Sequence, residues 1–158
     1  MCMTSYQRIF GSGPLLLVLT LALMLGTLQA QKVIGGAHWQ GAVTLRSALA
    51  GFVTVIGISI ILWSFGTLSL RQRGRELVTR GPYRYVRHPL YSVMFWGPHL
   101  LVFLLTGTWL ALAAIVLMFV AGHLLIGHEE KLMEQTFGEA WLEYARRTPR
   151  FLPRLLRS

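Results

Sequence analysis

The chain has 158 residues, of which 54% are hydrophobic and only 13% are charged, whereas soluble domains average about 25% charged residues. Its apolar residues form four blocks, each close to the roughly 20 residues that a membrane-spanning helix needs. The net charge of +9 would suggest nucleic-acid binding in a soluble domain, but in a membrane protein it indicates loops held against anionic lipid. Composition therefore excludes a secreted domain, a coiled coil, a disordered tail and a multidomain enzyme. It predicts one all-α integral membrane domain over residues 1–158, with membrane lipid and no nucleic acid as partner.

Four membrane spans are predicted, in chain order, over residues 14–30, 47–70, 90–105 and 109–126. The first block also resembles the apolar region of a signal peptide. Cleavage after Ala30 would place Leu28 at a position where a small residue is preferred, so we interpret the block as an uncleaved helix. The third span contains Pro98, which predicts a kink.

The short connection Thr106-Gly107-Thr108 between spans three and four predicts a tight helical hairpin. From residue 128 the chain becomes amphipathic, and its large apolar side chains recur at helical spacing. These side chains are Met133, Phe137, Trp141 and Tyr144. The pattern predicts a C-terminal helix that lies at the membrane surface with its aromatic side chains down. Two prolines then predict an extended end over residues 148–153.

Positive charge predicts the topology. Residues 71–89 carry six arginines, and the tail after span four carries six more basic residues. Two spans separate these segments, so both face the same side, which the distribution of basic residues identifies as the cytoplasm. The sequence therefore predicts cytoplasmic N- and C-termini, and its small size suggests a bacterial inner membrane.

The hairpin brings ionisable side chains from distant stretches to one depth. Counting equally from Gly107 along both spans places Tyr91 level with His123 and His88 level with Ile126. We therefore expect a pocket mouth at the cytoplasmic boundary, because ionisable groups near a span face a partner or a cavity. The side chains expected there are Arg84, Arg87, His88, Tyr91, His123, His128, Glu129 and Glu130.

A pocket lined in this way can bind a ligand that carries several polar or charged groups. Carboxylates bind ribose hydroxyls or an ammonium, guanidinium groups bind a carboxylate, and aromatic rings hold a cation or an adenine. S-adenosylmethionine carries all of these groups, and methyl transfer from its sulfonium mainly needs positioning and exclusion of water. From the residues alone, this cofactor is one option among several.

The sequence of this region resembles a known family. Residues 77–91 (LVTRGPYRYVRHPLY) look like the signature loop of the isoprenylcysteine carboxyl methyltransferase family, within the wider group that includes phospholipid N-methyltransferases. Residues 129–138 (EEKLMEQTFG), Tyr144 and residues 147–153 (RTPRFLP) are similar to the second half of the family pattern. The resemblance covers residues 70–153, with both motifs in the family's order.

The resemblance implies an S-adenosylmethionine-dependent membrane methyltransferase whose cofactor binds at the cytoplasmic side. It implies catalytic roles for His88, Tyr91 and Glu129. The cofactor-binding residues that it implies are Arg75, Glu76, Leu77, Val78, Tyr83, Arg87, His88, Pro89, Leu90, Tyr91, Glu129 and Glu130, and the supporting residues are Tyr144 and Arg150. For the methyl acceptor we expect a lipophilic or amphipathic carboxylate, thiol or lipid amine that enters from the bilayer.

The chain departs from the family pattern at two positions. Many relatives have glycine where Val93 stands, so looser helix packing is expected there. Relatives that act on prenylated cysteine carry an arginine where Leu125 stands, four residues before Glu129. This departure weakens the case for a prenylcysteine carboxylate as substrate and leaves the cofactor site intact.

Two other functions are compatible with the sequence. One is a non-catalytic membrane scaffold of the same fold, which would not bind the cofactor. The other is a haem- or metal-binding module that uses His88, His123 and His128. A haem shared by His99 and His123 is disfavoured, because their distances from Gly107 along the two spans imply depths that differ by about 12 Å. No metal ligand set is predicted.

Overall fold

The computed structural model describes residues 11–35, 38–68 and 75–154. These ranges contain five α-helices and one 3₁₀ turn: α1 (Gly13–Ile34), α2 (Val43–Thr67), the turn Gly81–Arg84, α3 (Pro89–Thr106), α4 (Leu110–Phe137) and α5 (Glu139–Arg147). Helices α1 to α4 are long and apolar enough to cross a membrane. The protein is therefore an all-α integral membrane protein, as the composition predicts.

Helix α3 lies at the centre of the bundle, because α1, α2 and α4 all pack against it. Half of the residues in the most apolar stretch of α3 are buried within the protein, compared with 11% in α1 and 17% in α2. The outer surfaces of α1 and α2 carry large apolar side chains such as Val18 and Phe52, which are both 64% exposed. Helices that are apolar on every side in this way are typical of membrane spans, whose outer faces contact lipid.

The apolar core lies near the end of the bundle where α3 begins. Leu16 of α1, Phe95 of α3, Met118 and Ile126 of α4, and Phe151 near the end of the described chain form one cluster of buried side chains. The Phe95 ring fits because residue 122 is glycine: a Cβ atom there would lie 2.2 Å from the ring. The rings of Phe95 and Phe151 meet edge to face, with centroids 4.9 Å apart. Three helices and the C-terminal segment thus share one core.

The predicted hairpin between α3 and α4 is confirmed. Helix α3 ends at Thr106, and Gly107 takes a left-handed conformation with φ 75°, which glycine adopts without steric cost. The Gly107 carbonyl accepts a hydrogen bond from the Trp39 amide at 2.9 Å. A Cβ atom at Gly107 would lie 2.6 Å from the Trp39 carbonyl oxygen, so this turn requires glycine. We call this end of the bundle the hairpin end, and the opposite end the motif end.

The largest difference from the predicted elements concerns α4. The sequence predicts that span four ends at residue 126 and that a surface helix follows, whereas α4 continues to Phe137. The residues after 126 are more polar, but none of them interrupts helical hydrogen bonding. The break comes at Gly138, with φ 54°. The C-terminal amphipathic helix is therefore confined to α5, and its Trp141 and Tyr144 are buried in the protein rather than in lipid.

Candidate active site

The motif loop is held against the C-terminal helix before it enters α3. Pro89 is the first residue of α3, a position where the missing N–H and fixed φ of proline suit a helix. Upstream, the buried Tyr144 hydroxyl of α5 donates to the Tyr83 carbonyl oxygen at 2.7 Å. Burial raises the pKa of the Tyr144 hydroxyl, so this group keeps its proton and remains a donor. The bond fixes the 3₁₀ turn relative to α5.

The Glu130 carboxylate is enclosed by three cationic or polar side chains. Arg87 contacts Oε1 through Nε at 2.9 Å and through a terminal nitrogen at 2.8 Å. His88 Nε2 lies 3.2 Å from the same oxygen. Arg150 binds Oε2 through Nε at 2.8 Å and a terminal nitrogen at 2.6 Å. With only 11% of its side chain exposed, Glu130 is fully engaged in binding the protein itself.

This cluster ties the C-terminal segment to the motif loop. The remaining terminal nitrogen of Arg87 donates to the carbonyl oxygens of Ala145 and Thr148, both at 2.7 Å. The backbone amides of Arg87 and His88 donate to the carbonyl oxygens of Pro149 at 2.8 Å and Arg150 at 3.0 Å. The segment after α5 therefore lies along the motif loop and inserts Phe151, 3% exposed, into the core.

Glu129, the neighbouring acid, is in a different environment. It is half-buried, and its Oε2 accepts hydrogen bonds from the Tyr91 hydroxyl and from the Ser12 backbone amide, both at 3.2 Å. Within the described ranges, both hydrogen bonds of Glu129 end on Oε2. The second oxygen, Oε1, therefore keeps its capacity to accept a hydrogen bond from a ligand.

Aromatic rings lie beside the two glutamates. The His88 and Tyr91 rings are stacked, with centroids 5.5 Å apart and an interplanar angle of 15°. Phe151 contacts His88 at 5.9 Å and His123 at 4.9 Å. A carboxylate oxygen beside stacked rings, at the edge of an apolar core, can bind a ligand that is both cationic and aromatic.

The side chains that meet lie four to six residues from the predicted level, an offset of about one to two helical turns. Counting from Gly107 places Tyr91 level with His123, whereas its hydroxyl bonds Glu129. Helical side chains lean towards the N-terminus of their own helix. Tyr91 on α3 therefore leans towards the motif end, while Glu129 on α4 leans away from it, and the two side chains meet between the depths of their Cα atoms.

The other residues predicted for the site lie in varied positions. Pro89 is buried, whereas Arg75 and Glu76 are exposed and Leu77, Val78 and Leu90 are half-buried. Arg84, His123 and His128 are exposed, and the Phe151 ring contacts both His123 and His88. The structure thus brings Arg87, His88, Glu130 and Arg150 into one cluster, and Tyr91 and Glu129 into another. Across the described part of the chain, no three His, Cys, Asp or Glu side chains are grouped so that they could hold a metal ion.

Both departures from the family pattern are accommodated by packing. Val93 is 5% exposed, and its Cγ1 would lie 3.5 Å from a Cβ atom at Gly57 of α2. Val93 therefore packs over Gly57 of the neighbouring helix at ordinary van der Waals distance. Leu125 packs against the apolar core cluster.

Sequence reasoning missed several residues that shape the site. Ser12 contacts Glu129 through its backbone amide, and no side-chain pattern signals a contact of that kind. Ser92, whose hydroxyl bonds the Phe151 carbonyl at 2.8 Å, follows the signature loop directly. Phe151 lies in the RTPRFLP segment, residues 147–153. An aromatic residue between two prolines there could have indicated a side chain that is buried in the core.

A second set of missed contacts holds the hairpin end. Arg46 of α2 donates to the carbonyl oxygens of Leu104 at 2.8 Å and Leu105 at 2.7 Å, which lie in the last turn of α3. His38 Nδ1 donates to the Thr106 carbonyl oxygen at 3.2 Å. These donors satisfy carbonyl groups that have no partner within the helix. Arg46 therefore fastens the hairpin to α2, and His38 fastens it to the loop that precedes α2.

Comparisons with known proteins agree with the motif. A family model described as phospholipid methyltransferase matches residues 38–140. The cobalt-zinc-cadmium resistance protein CzcN of Cupriavidus metallidurans is 35% identical over 80% of this chain and 58% of its own length. The nickel-cobalt-cadmium resistance protein NccN of Alcaligenes xylosoxydans xylosoxydans is 36% identical over 78% of this chain and 58% of its own length.

A plant enzyme is also similar. Protein-S-isoprenylcysteine O-methyltransferase B of Arabidopsis thaliana is 36% identical over 52% of this chain and 42% of its own length. The chain thus spans 58% of the length of each of the two resistance proteins and a smaller share of the plant enzyme. The matched family segment contains Tyr91, Glu129 and Glu130, whereas Ser12 and Arg150 lie outside it.

Proposed function

The chain belongs to the phospholipid methyltransferase family, and from this membership we propose that it is an S-adenosylmethionine-dependent membrane methyltransferase. The proposed acceptor is a lipophilic or amphipathic carboxylate, thiol or lipid amine, methylated at the cytoplasmic face. The observation that carries the proposal is the Glu129 carboxylate, which is fixed through Oε2 and retains Oε1 as an acceptor beside the Tyr91 and His88 rings.

The residues present fit this cofactor by their chemistry. S-adenosylmethionine combines an ammonium, ribose hydroxyls, an adenine ring and a sulfonium. A half-buried carboxylate can bind the ammonium or the hydroxyls through charge-assisted hydrogen bonds. Aromatic rings attract a cation and stack on an adenine. These are the groups that Glu129, Tyr91 and His88 present at the motif end of the bundle.

When bound, the cofactor would supply an electrophilic methyl group, and the protein would supply binding and orientation. In this proposal Glu129 binds a polar end of the cofactor and the Tyr91 hydroxyl holds the carboxylate in place. His88, Pro89 and Leu90 line the site, and residues 75–78 with Tyr83 close one side of it. Phe151 helps to exclude water because it fills the space between His88 and the core.

Glu130 and Arg87 support the proposed site without binding the cofactor directly. Their charged groups are occupied by each other, by Arg150 and by backbone carbonyl oxygens. We therefore assign to them the positioning of the C-terminal segment against the motif loop. A cofactor carboxylate near Arg87 would meet a guanidinium that is already partly neutralised.

The positive charges of residues 71–89 and of the tail support a cytoplasmic site and cytoplasmic termini. Two of the similar proteins are bacterial, in keeping with a bacterial inner membrane. Their names refer to metal resistance, but the described residues offer no group of three metal ligands. The scaffold alternative differs from the proposal in one property, which is the absence of cofactor binding.

Calorimetric binding of S-adenosylmethionine to the detergent-purified protein tests the proposal. We expect micromolar affinity for the wild type and at least about tenfold weaker binding for Glu129→Gln, which loses the charge but keeps the shape. Glu134→Gln on the exposed face of the same helix is the matched control and should bind like the wild type. Folded wild-type protein that does not bind would support the scaffold, and equal affinity in Glu129→Gln would refute the site.

A further inference from the structure

The start of α1 closes on the Glu129 carboxylate from outside the segment that matches the family. The Ser12 amide donates to Oε2 at 3.2 Å. The next residue, Gly13, lies against the other donor to that oxygen, since its Cβ position is 3.8 Å from the Tyr91 ring. The family motifs assign no role to this part of the chain.

Gly11 is the residue that makes this approach possible. Its φ is +53°, and a Cβ atom there would lie 2.8 Å from Oε2 of Glu129 and 3.0 Å from both Oε1 and Cδ. Such distances are shorter than ordinary van der Waals contacts. Because a carboxylate is the mobile end of a flexible side chain, a methyl group at residue 11 would displace Glu129 rather than the backbone of α1.

The contact has a direct consequence for the orientation of the carboxylate. The Ser12 amide and the Tyr91 hydroxyl both donate to Oε2, one from α1 and the other from α3. Two donors on one oxygen restrict the rotamer of Glu129, and a side chain that is already ordered loses less entropy when it binds a ligand. The same restriction determines where Oε1 points.

We propose that Gly11 is a positioning residue for the Glu129 carboxylate: its missing side chain lets the start of α1 hold Glu129 by Oε2 and present Oε1 to the cofactor's polar end. The proposal rests on the proposed function, because the ligand is S-adenosylmethionine. It makes α1 a third structural element of the site, together with the motif loop and α4.

The test compares two alanine substitutions that carry the same backbone strain. Gly11→Ala introduces both a positive-φ alanine and the clash with Glu129. Gly35→Ala, at the other end of α1, introduces a positive-φ alanine (φ +61°), and its new Cβ meets no described atom within 4 Å beyond its neighbours in the chain. We expect S-adenosylmethionine to bind about tenfold more weakly to Gly11→Ala, and to bind Gly35→Ala within about twofold of the wild type.

A shorter acid separates steric displacement from general damage to α1. Glu129→Asp withdraws the carboxylate by one methylene group, so it removes the atoms that the new methyl group would meet. We expect Gly11→Ala to change the affinity of the Glu129→Asp protein by no more than about twofold. A tenfold loss in both backgrounds would show that the effect does not act through Glu129, and it would overturn the proposal.

Thermal unfolding of the cofactor-free protein tests the contact independently. The midpoint should fall further for Gly11→Ala than for Gly35→Ala, and the excess should vanish in a Glu129→Ala background. If Gly11→Ala does not fold, recovery of the folded protein by Glu129→Ala supports the contact and failure to recover overturns it. Folded wild type that does not bind refutes the proposed function, whereas equal binding by wild type and Gly11→Ala refutes this inference alone.

Discussion

Two adjacent glutamates of α4 have opposite surroundings, and this difference separates their roles. Glu130 is bound by two guanidinium groups and His88, and little of it is accessible. Glu129, at the preceding position of the helix, faces the start of α1 and Tyr91, and both of its hydrogen bonds to the described residues end on Oε2. One acid therefore stabilises the fold at the motif end, and the other is suited to bind a ligand.

The first prediction concerns Glu130. Glu130→Gln should lower the free energy of unfolding by about 3 kcal/mol, because it leaves the buried Arg87 charge without its counterion. Glu143→Gln removes only the exposed i,i+4 pair with Arg147 and should cost less than about 0.5 kcal/mol. Denaturant titration in mixed micelles measures both. Equal losses would contradict the structural role assigned to Glu130.

The second prediction concerns the Tyr91 hydroxyl. Tyr91→Phe keeps the ring that stacks on His88 but removes the donor to Glu129 Oε2. A hydrogen bond to a charged group contributes about 1.5 kcal/mol, so S-adenosylmethionine should bind about tenfold more weakly. Calorimetry with Tyr85→Phe as the control, an exposed tyrosine of the motif loop, measures the difference. Unchanged affinity in Tyr91→Phe would show that the hydroxyl does not hold Glu129.

At the scale of elements, α5 and the segment after it fasten the motif loop. The Tyr144 hydroxyl bonds the Tyr83 carbonyl oxygen, and Phe151 fills the core beside His88. The sequence predicted an amphipathic helix here, but it placed the aromatic side chains in lipid. Amphipathicity identifies an apolar face and leaves open whether lipid or protein covers it, and here protein covers it.

The third prediction is a pH dependence at Tyr144. An unfolded tyrosine has a pKa of about 10, whereas burial raises the pKa of Tyr144 in the folded protein. The stability contributed by this group is therefore fully present below about pH 10 and is lost as the pH rises towards the folded pKa. Tyr144→Phe should cost about 1 kcal/mol at pH 8, and the difference from wild type should shrink above pH 10. A difference that stays constant to pH 11 would contradict the prediction.

Element boundaries were predictable only where a breaker residue marks them. Gly107 marks the hairpin, and Pro89 marks the start of α3. The fall in hydropathy after Ile126 predicts the end of span four and a separate surface helix, whereas α4 is one helix that continues to Phe137. A helix continues into the aqueous layer when its residues form helices well, and here it stops only at Gly138.

At the scale of the molecule, the contacts that fasten the hairpin lie far from the candidate site. The hairpin end is fastened by Arg46 and His38, and the motif end holds the candidate site. The two ends are separated by most of α3, about 24 Å for 16 residues. Global stability and ligand binding should therefore be separable by mutation.

The fourth prediction uses this separation. Arg46→Met keeps the apolar stem but removes the donors to the Leu104 and Leu105 carbonyl oxygens. Unfolding should become easier by about 2 kcal/mol, while the affinity of the folded protein for S-adenosylmethionine stays within about twofold of wild type. Denaturant titration and calorimetry on the same preparation measure the two quantities. A large loss of affinity would show that the ends are coupled.

The sequence predicted the all-α membrane class and the meeting of α3 and α4 at the motif end, because both follow from apolar block length and a short turn. The sequence predicts only part of the surroundings of Glu129. Tyr91 and Glu129 belong to recognisable motifs. Gly11, in contrast, matters because it has no side chain that would meet Glu129, and Ser12 contacts Glu129 through its backbone amide. Contacts of those two kinds depend on how α1 packs, and local sequence does not encode that packing.

Transfer of a labelled methyl group tests the central claim most directly. Inverted membrane vesicles that contain the protein are incubated with S-adenosylmethionine labelled on the methyl group, and the label in the lipid-soluble fraction is counted. The account predicts label in that fraction for the wild type, background label for Glu129→Gln, and background label when the cofactor is supplied only to right-side-out vesicles. Label that accumulates equally with Glu129→Gln, or wild-type protein that binds the cofactor and labels nothing, would contradict it.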